Sequence, residues 1–133
     1  MGIIVPSENV FRTRARPRQL TKVRSAGDRY AISLEPDLSG EQELTATAPT
    51  VRVLSWASAE DRSADFPGMD PEYGTVEVAG ETERCIRFWL GPAVGDAQRP
   101  GKYAVEAIFE TADGRRPAGV DRRGRLPVLM VSW

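Results

Sequence analysis

From Tyr30 onward the apolar residues recur with a period of two, and glycine and proline break the pattern every ten or so positions, which leaves little room for anything but short strands. Tyr30, Ile32 and Leu34 alternate with Ala31 and Ser33, and Leu44, Ala46 and Ala48 alternate with Thr45 and Thr47. Successive side chains of an extended backbone point to opposite sides, so this alternation marks strands with one buried face. Twelve glycines and ten prolines are spread over the 133 residues and would cut any long helix into pieces. Pro36-Asp37 and Ser39-Gly40 turn the chain between the first two runs. A third run spans 51–56, with β-branched Val51 and Val53, and an irregular stretch at 57–73 follows, broken by Pro67-Gly68 and Pro71. Val76 and Val78 then alternate with Thr75 and Glu77, Gly80 turns the chain, and 84–90 forms a fifth strand closed by Gly91-Pro92. Beyond Pro100-Gly101, Tyr103, Val105, Ala107 and Phe109 face one way and Lys102, Glu106 and Glu110 the other, up to the turn Asp113-Gly114.

With a last run at 126–133, six or seven short strands and no helical period predict an all-β fold, an immunoglobulin-like antiparallel β-sandwich over residues 30–133. A chain of this length supports one modest core. Tyr103, at the start of its strand, stands where such sandwiches place a tyrosine corner. The last run is apolar on both faces, with Leu126, Val128 and Met130 on one and Leu129, Val131 and Trp133 on the other. A strand of that kind is covered twice. The core takes one face, and the N-terminal segment, a long loop or another subunit must cover Leu129, Val131 and Trp133. The run ends at Trp133, which predicts a docked strand.

Residues 1–29 read differently, as an extended basic N-terminal arm. Arg12, Arg14, Arg16 and Arg18 alternate with Thr13, Ala15 and Pro17, so an extended backbone places the four guanidinium groups on one side. Ile3, Ile4, Val5, Val10 and Phe11 supply apolar anchors that a mere spacer would lack, and a short strand fits at 19–23. The arm is therefore expected to order on a partner through Ile3, Ile4, Val5, Phe11 and the arginine array. Charge supports docking, since the balances are +5 over 1–29, −10 over 30–114 and +4 over 115–133. Unlike charges on one chain suit complementary surfaces.

The residues offer little to catalysis. There is no histidine, and one cysteine, Cys85, lies inside an apolar run as a small buried hydrophobe. Usual zinc sites and intramolecular disulfides are out of reach. Glu60, Asp61, Asp65, Asp70 and Glu72 in the 57–73 stretch match no calcium-loop spacing and read as solvated acid or as the counterpart of a neighbour's basic arm. Only Lys22 and Lys102 are lysines, neither in a motif, and no phosphate-binding glycine loop occurs. The chain is expected to be no enzyme, with no cofactor and no metal. Direct nucleic-acid contact is disfavoured because few aromatics accompany the basic segments and the body between them is acidic. No run of eighteen apolar residues occurs, so no membrane span is expected, and the N-terminus lacks a signal-peptide pattern. Trp56, Trp89 and Trp133 lie among apolar neighbours and read as core or interface residues; the alternative is a carbohydrate-binding module for host-surface attachment.

Several stretches carry a likeness: Arg29-Tyr30-Ala31-Ile32-Ser33-Leu34, Glu43-Leu44-Thr45 leading into 51–56, Gly74-Thr75-Val76-Glu77-Val78, Ile86-Arg87-Phe88-Trp89-Leu90-Gly91, Gly101-Lys102-Tyr103-Ala104-Val105 and Thr111-Ala112-Asp113-Gly114-Arg115. Their order, over roughly 29–131, resembles the small immunoglobulin-like structural proteins of tailed-phage virions, often described as fibre-tail adaptors. The resemblance implies a virion protein assembled in the host cytoplasm, at the neck or tail, holding fibres or other tail components. Its partners would be tail, neck, portal or fibre proteins and copies of itself in a ring-like assembly. The long acidic 57–73 stretch and the arginine-rich arm depart from that pattern.

Overall fold

The computed structural model describes residues 5–6, 9–11, 19–38, 42–95 and 101–132. Nine strands form a β-sandwich: β1 (Val10–Phe11), β2 (Gln19–Val23), β3 (Asp28–Ser33), β4 (Thr50–Ser55), β5 (Glu72–Val78), β6 (Glu81–Leu90), β7 (Gly101–Thr111), β8 (Gly114–Pro117) and β9 (Val128–Ser132). One sheet has the order β1-β3-β6-β5 and the other β2-β9-β7-β4, with β8 beside the far half of β7. The core between them holds Tyr30, Ile32, Leu34, Ile86, Phe88 and Leu90 from the first sheet and Val53, Tyr103, Val105, Ala107, Phe109 and Leu129 from the second. The alternating runs from 72 to 111 are strands; β7 turns its apolar set to the core, whereas Val76 and Val78 of β5 belong to a separate apolar cluster with Val5. Ala79 and Gly80, at φ 51° and 83°, close the β5-β6 hairpin in the doubly left-handed turn whose twist suits a two-residue loop.

Both sheets are mixed, which corrects the purely antiparallel expectation. β1 runs parallel to β3 and β2 parallel to β9. A two-residue turn enforces antiparallel pairing, but neither β1 nor β2 follows its neighbour in the chain, so nothing local dictates direction. The arm expected over residues 1–29 is likewise corrected where it is described: β1 and β2 give one strand to each sheet, and β3 already begins at Asp28. Val10 and Phe11 are completely buried and Leu20 nearly so. The run expected at 44–48 forms no strand; Leu44 makes a single bridge to Thr111.

The 57–73 stretch is anchored rather than merely solvated. It holds a short 3-10 turn, Ser63–Asp65, followed by Phe66, which is wholly buried and meets Tyr103 edge-on at 5.9 Å. Its backbone closes the outer edge of β4. Ser55 N–H donates to Glu60 O at 2.8 Å, Arg62 N–H to Val53 O at 2.7 Å, and Val53 N–H to Ser63 Oγ at 3.0 Å. Tyr73 ties the sheets together, its hydroxyl accepting the Glu110 N–H at 3.0 Å.

Candidate functional site

The two sheets differ in how their outer faces are covered. On the first sheet Val10, Ala31, Val76, Val78 and Cys85 form a second apolar cluster, and Val5 from the N-terminal segment belongs to it. Ser33 and Glu83 are buried on that face and share a hydrogen bond, Ser33 Oγ to Glu83 Oε1, at 3.0 Å. Burial pushes the Cys85 thiol up to about 12 despite the nearby Arg87 charge. The anchor expected at Val5 is thus spent on this chain's own sheet, and Phe11 sits in the central core.

The second sheet keeps its outer face open. Register places Trp56, Lys102, Met130 and Thr21 in one row across β4, β7, β9 and β2: the Trp56 N–H donates to Lys102 O at 3.2 Å, Lys102 lies opposite Met130, and Met130 opposite Thr21. The next row is Leu54, Ala104, Val128 and Gln19. Beyond it Arg52 and Glu106 pair at 2.6 Å. Met130, Val128 and Ala104 are partly exposed, and Trp56 is 38% exposed with the Lys102 ammonium 4.0 Å from its ring centre. A shallow groove of about 520 Å³ runs along Gln19, Thr21, Lys102, Met130 and Ser132.

At one end this face meets an apolar rim. Val23 is 43% exposed and Val94 41%, and these two with Trp56 are the exposed large hydrophobic residues among the described ones. All three sit where β2, β4 and β6 finish. The rim is rigidly tied: Arg24 N–H donates to Ser132 O at 2.8 Å, Ala93 N–H to Arg24 O at 2.7 Å, and Val94 N–H to Asp65 O at 2.9 Å. Lys22, only 2% exposed, sends its ammonium to Val23 O at 2.9 Å and Ala26 O at 2.6 Å, and its burial lowers its pKa. On the opposite sheet the Trp89 ring packs against Gly27 and Gly91, where an added Cβ would lie 2.5 and 2.7 Å from ring atoms, with Arg29 5.6 Å from its centre.

Leu129 and Val131, expected on the outer face of the last strand, face the core, and Val128 and Met130 take their place outside. Leu129 lies directly opposite Tyr103, and residues directly opposite share a face, so the inward Tyr103 fixes the phase. Ile3, Ile4, Arg12, Arg14, Arg16, Arg18 and Trp133 lie outside the described residues. Of the core and interface readings of Trp56, its exposure excludes the core, and the exposure of Val23 and Val94 was not read from the sequence because neither lies inside an alternating run. Among the described residues no group of three His, Cys, Asp or Glu side chains could hold a metal, and no helix is long and apolar enough to cross a membrane. No protein-family model, curated protein or solved structure matches the chain.

Proposed function

We propose that this protein is a non-enzymatic structural component of a tailed-phage virion, an adaptor at the neck or tail that holds fibres or other tail components through its sandwich surface. One observation carries the docking role: the outer face of β2-β9-β7-β4 presents Met130, Val128, Ala104 and Trp56 in two adjoining rows and ends in the exposed Val23 and Val94. A contiguous apolar strip on a sheet whose opposite number is covered marks a contact surface rather than scattered exposure. The strand order supports the resemblance. With β2 and β8 set aside, β1-β3-β6-β5 facing β4-β7-β9 follows the order in which an immunoglobulin-like chain lays its first, second, fifth and fourth strands against its third, sixth and seventh, although β1 runs parallel to β3. The virion setting rests on the resemblance carried by the sequence over roughly 29–131.

The test is complementation of an interrupted gene during infection, followed by mass spectrometry of purified particles. Wild-type chain is expected in the particle, while Met130→Glu and Trp56→Ala, both on the open face, are expected to fold and yet be lost from it. Complete, infective particles lacking the wild-type chain would overturn the reading. Among the described tryptophans a carbohydrate-binding role competes through the exposed Trp56, and one face of that ring is already occupied by Lys102.

A further inference from the structure

The geometry points to a second contact site, the free edge of β5, shaped to accept an extended peptide with basic side chains. β5 ends its sheet, with β6 as its single neighbour among the described residues. The direction of its backbone groups follows from the hydrogen bond Leu34 N–H to Arg84 O at 2.9 Å. In an antiparallel ladder successive residues direct their N–H and C=O to alternate sides, so Arg84, Ile86 and Phe88 point towards β3 and Glu83, Cys85 and Arg87 towards β5. Their partners Val76, Gly74 and Glu72 are thereby engaged. The N–H and C=O groups of Tyr73, Thr75 and Glu77 point the other way, off the edge of the sheet. The Ala79-Gly80 turn agrees in phase, since its closing pair is Val78 and Glu81.

An open edge of seven residues invites pairing, and natural sheets ordinarily hide one. This chain does so at β4, where residues 60–63 take up the backbone groups of Val53 and Ser55. Among the described residues no such cover lies along Tyr73, Thr75 and Glu77. What the edge carries instead is charge of one sign: residues 70–83 contain neither lysine nor arginine, and Asp70, Glu77 and Glu81 are exposed, while Glu83 is buried against Ser33. The guanidinium groups that follow are engaged, Arg84 with Glu35 and Arg87 with Glu72, each at 3.0 Å. Two copies meeting β5 to β5 would bring together two edges of the same sign with no opposite-charge pair between them, which is less favourable than a basic partner. A strand bearing Lys or Arg gains backbone hydrogen bonds together with an opposite-charge contact to Glu77 and to the acidic residues that flank it.

The probe is the peptide acetyl-(Arg-Thr)4-amide, with acetyl-(Glu-Thr)4-amide as its counterpart, followed by amide exchange and by titration at two salt concentrations. The basic peptide is expected to slow exchange at Tyr73, Thr75 and Glu77 by tenfold or more, on the order of one added hydrogen bond each, and to bind about tenfold more weakly at high salt. Thr75→Pro removes an outward N–H while leaving the bonds of Gly74 and Val76 to β6, and should weaken binding by about tenfold. Equal binding of the two peptides, protection confined to other strands, or full binding by Thr75→Pro would each overturn the assignment. So would protection of these three amides in the protein alone that grows with its concentration, because a second copy would then fill the edge.

Discussion

Lys22 follows the alternation of β2 and therefore points inward with Leu20, so its ammonium must find partners beneath the surface. It finds two carbonyls, those of Val23 and Ala26, and lies 6.0 Å from the Phe66 ring centre. Removing the charge trades two charge-assisted bonds against a large desolvation cost, so Lys22→Met should shift stability at neutral pH by less than about 2 kcal/mol in either direction. The pH dependence is more telling. Burial lowers the folded-state pKa below the ordinary 10.5, so between the two values the unfolded chain binds more protons and stability rises with pH. Burial raises Tyr30 and Cys85 to about 12, and both work the other way, losing stability as pH climbs above their ordinary 10.0 and 9.0. They are common to both proteins and cancel in the comparison. Wild type should gain on Lys22→Met as pH rises towards 10.5, by at most about 1.4 kcal/mol per pH unit for one proton. Parallel denaturation curves across that range would show that the ammonium is not desolvated.

Among the elements, the stretch at 57–73 decides the fate of the β4 edge. Phe66 is its anchor, and Phe66→Ala should cost about 3–5 kcal/mol by leaving a cavity against Tyr103. The loss should show first at Val53 and Ser55, whose amide protons ought to exchange well before those of β7. Uniform exchange across both strands would mean the loop does not guard the edge. The sequence made β5 and β7 legible because each alternates with a single buried face, closed by Gly80 or Asp113-Gly114, whereas β6, which buries Cys85 and Ile86 on opposite faces, was legible from its apolar run and the Gly91 that ends it. It left β9 ambiguous for a physical reason: Val128 to Val131 is apolar throughout, so either phase satisfies the pattern, and only pairing with Tyr103 chooses. Residues 44–48 alternate as well as any strand, yet Ala46 and Ala48 offer too little side chain to hold a sheet position. The outer face of β9 was half legible: a strand apolar on both sides implied apolar residues outside the core, but the structure places Val128 and Met130 there and turns Leu129 and Val131 inward.

At the scale of the whole molecule the N-terminal segment stitches the sandwich together. It covers the outer face of the first sheet at Val5, joins that sheet at Val10 and Phe11, and reaches the second sheet at Gln19 to pair with β9. Charge patterning suggested a separable arm, and the burial of Val10, Phe11 and Leu20 on either side of the arginine array argues against one. Val10, Phe11 and Leu20 are each worth roughly 1.5–3 kcal/mol of apolar transfer, which together rivals the 5–15 kcal/mol net stability of an ordinary domain. Deleting residues 1–24 removes all three along with the hydrogen bonds to β3 and β9, and should give a chain without a cooperative thermal transition. Deleting residues 1–8 removes Val5 but keeps both strands, so that variant should fold and expose the cluster around Cys85. Its thiol should then react with a disulfide reagent at least tenfold faster than in the full chain, where burial holds the thiolate back. Circular dichroism on heating and thiol titration check the pair. A soluble, cooperatively melting protein from the longer deletion would return residues 1–24 to the status of a detachable arm.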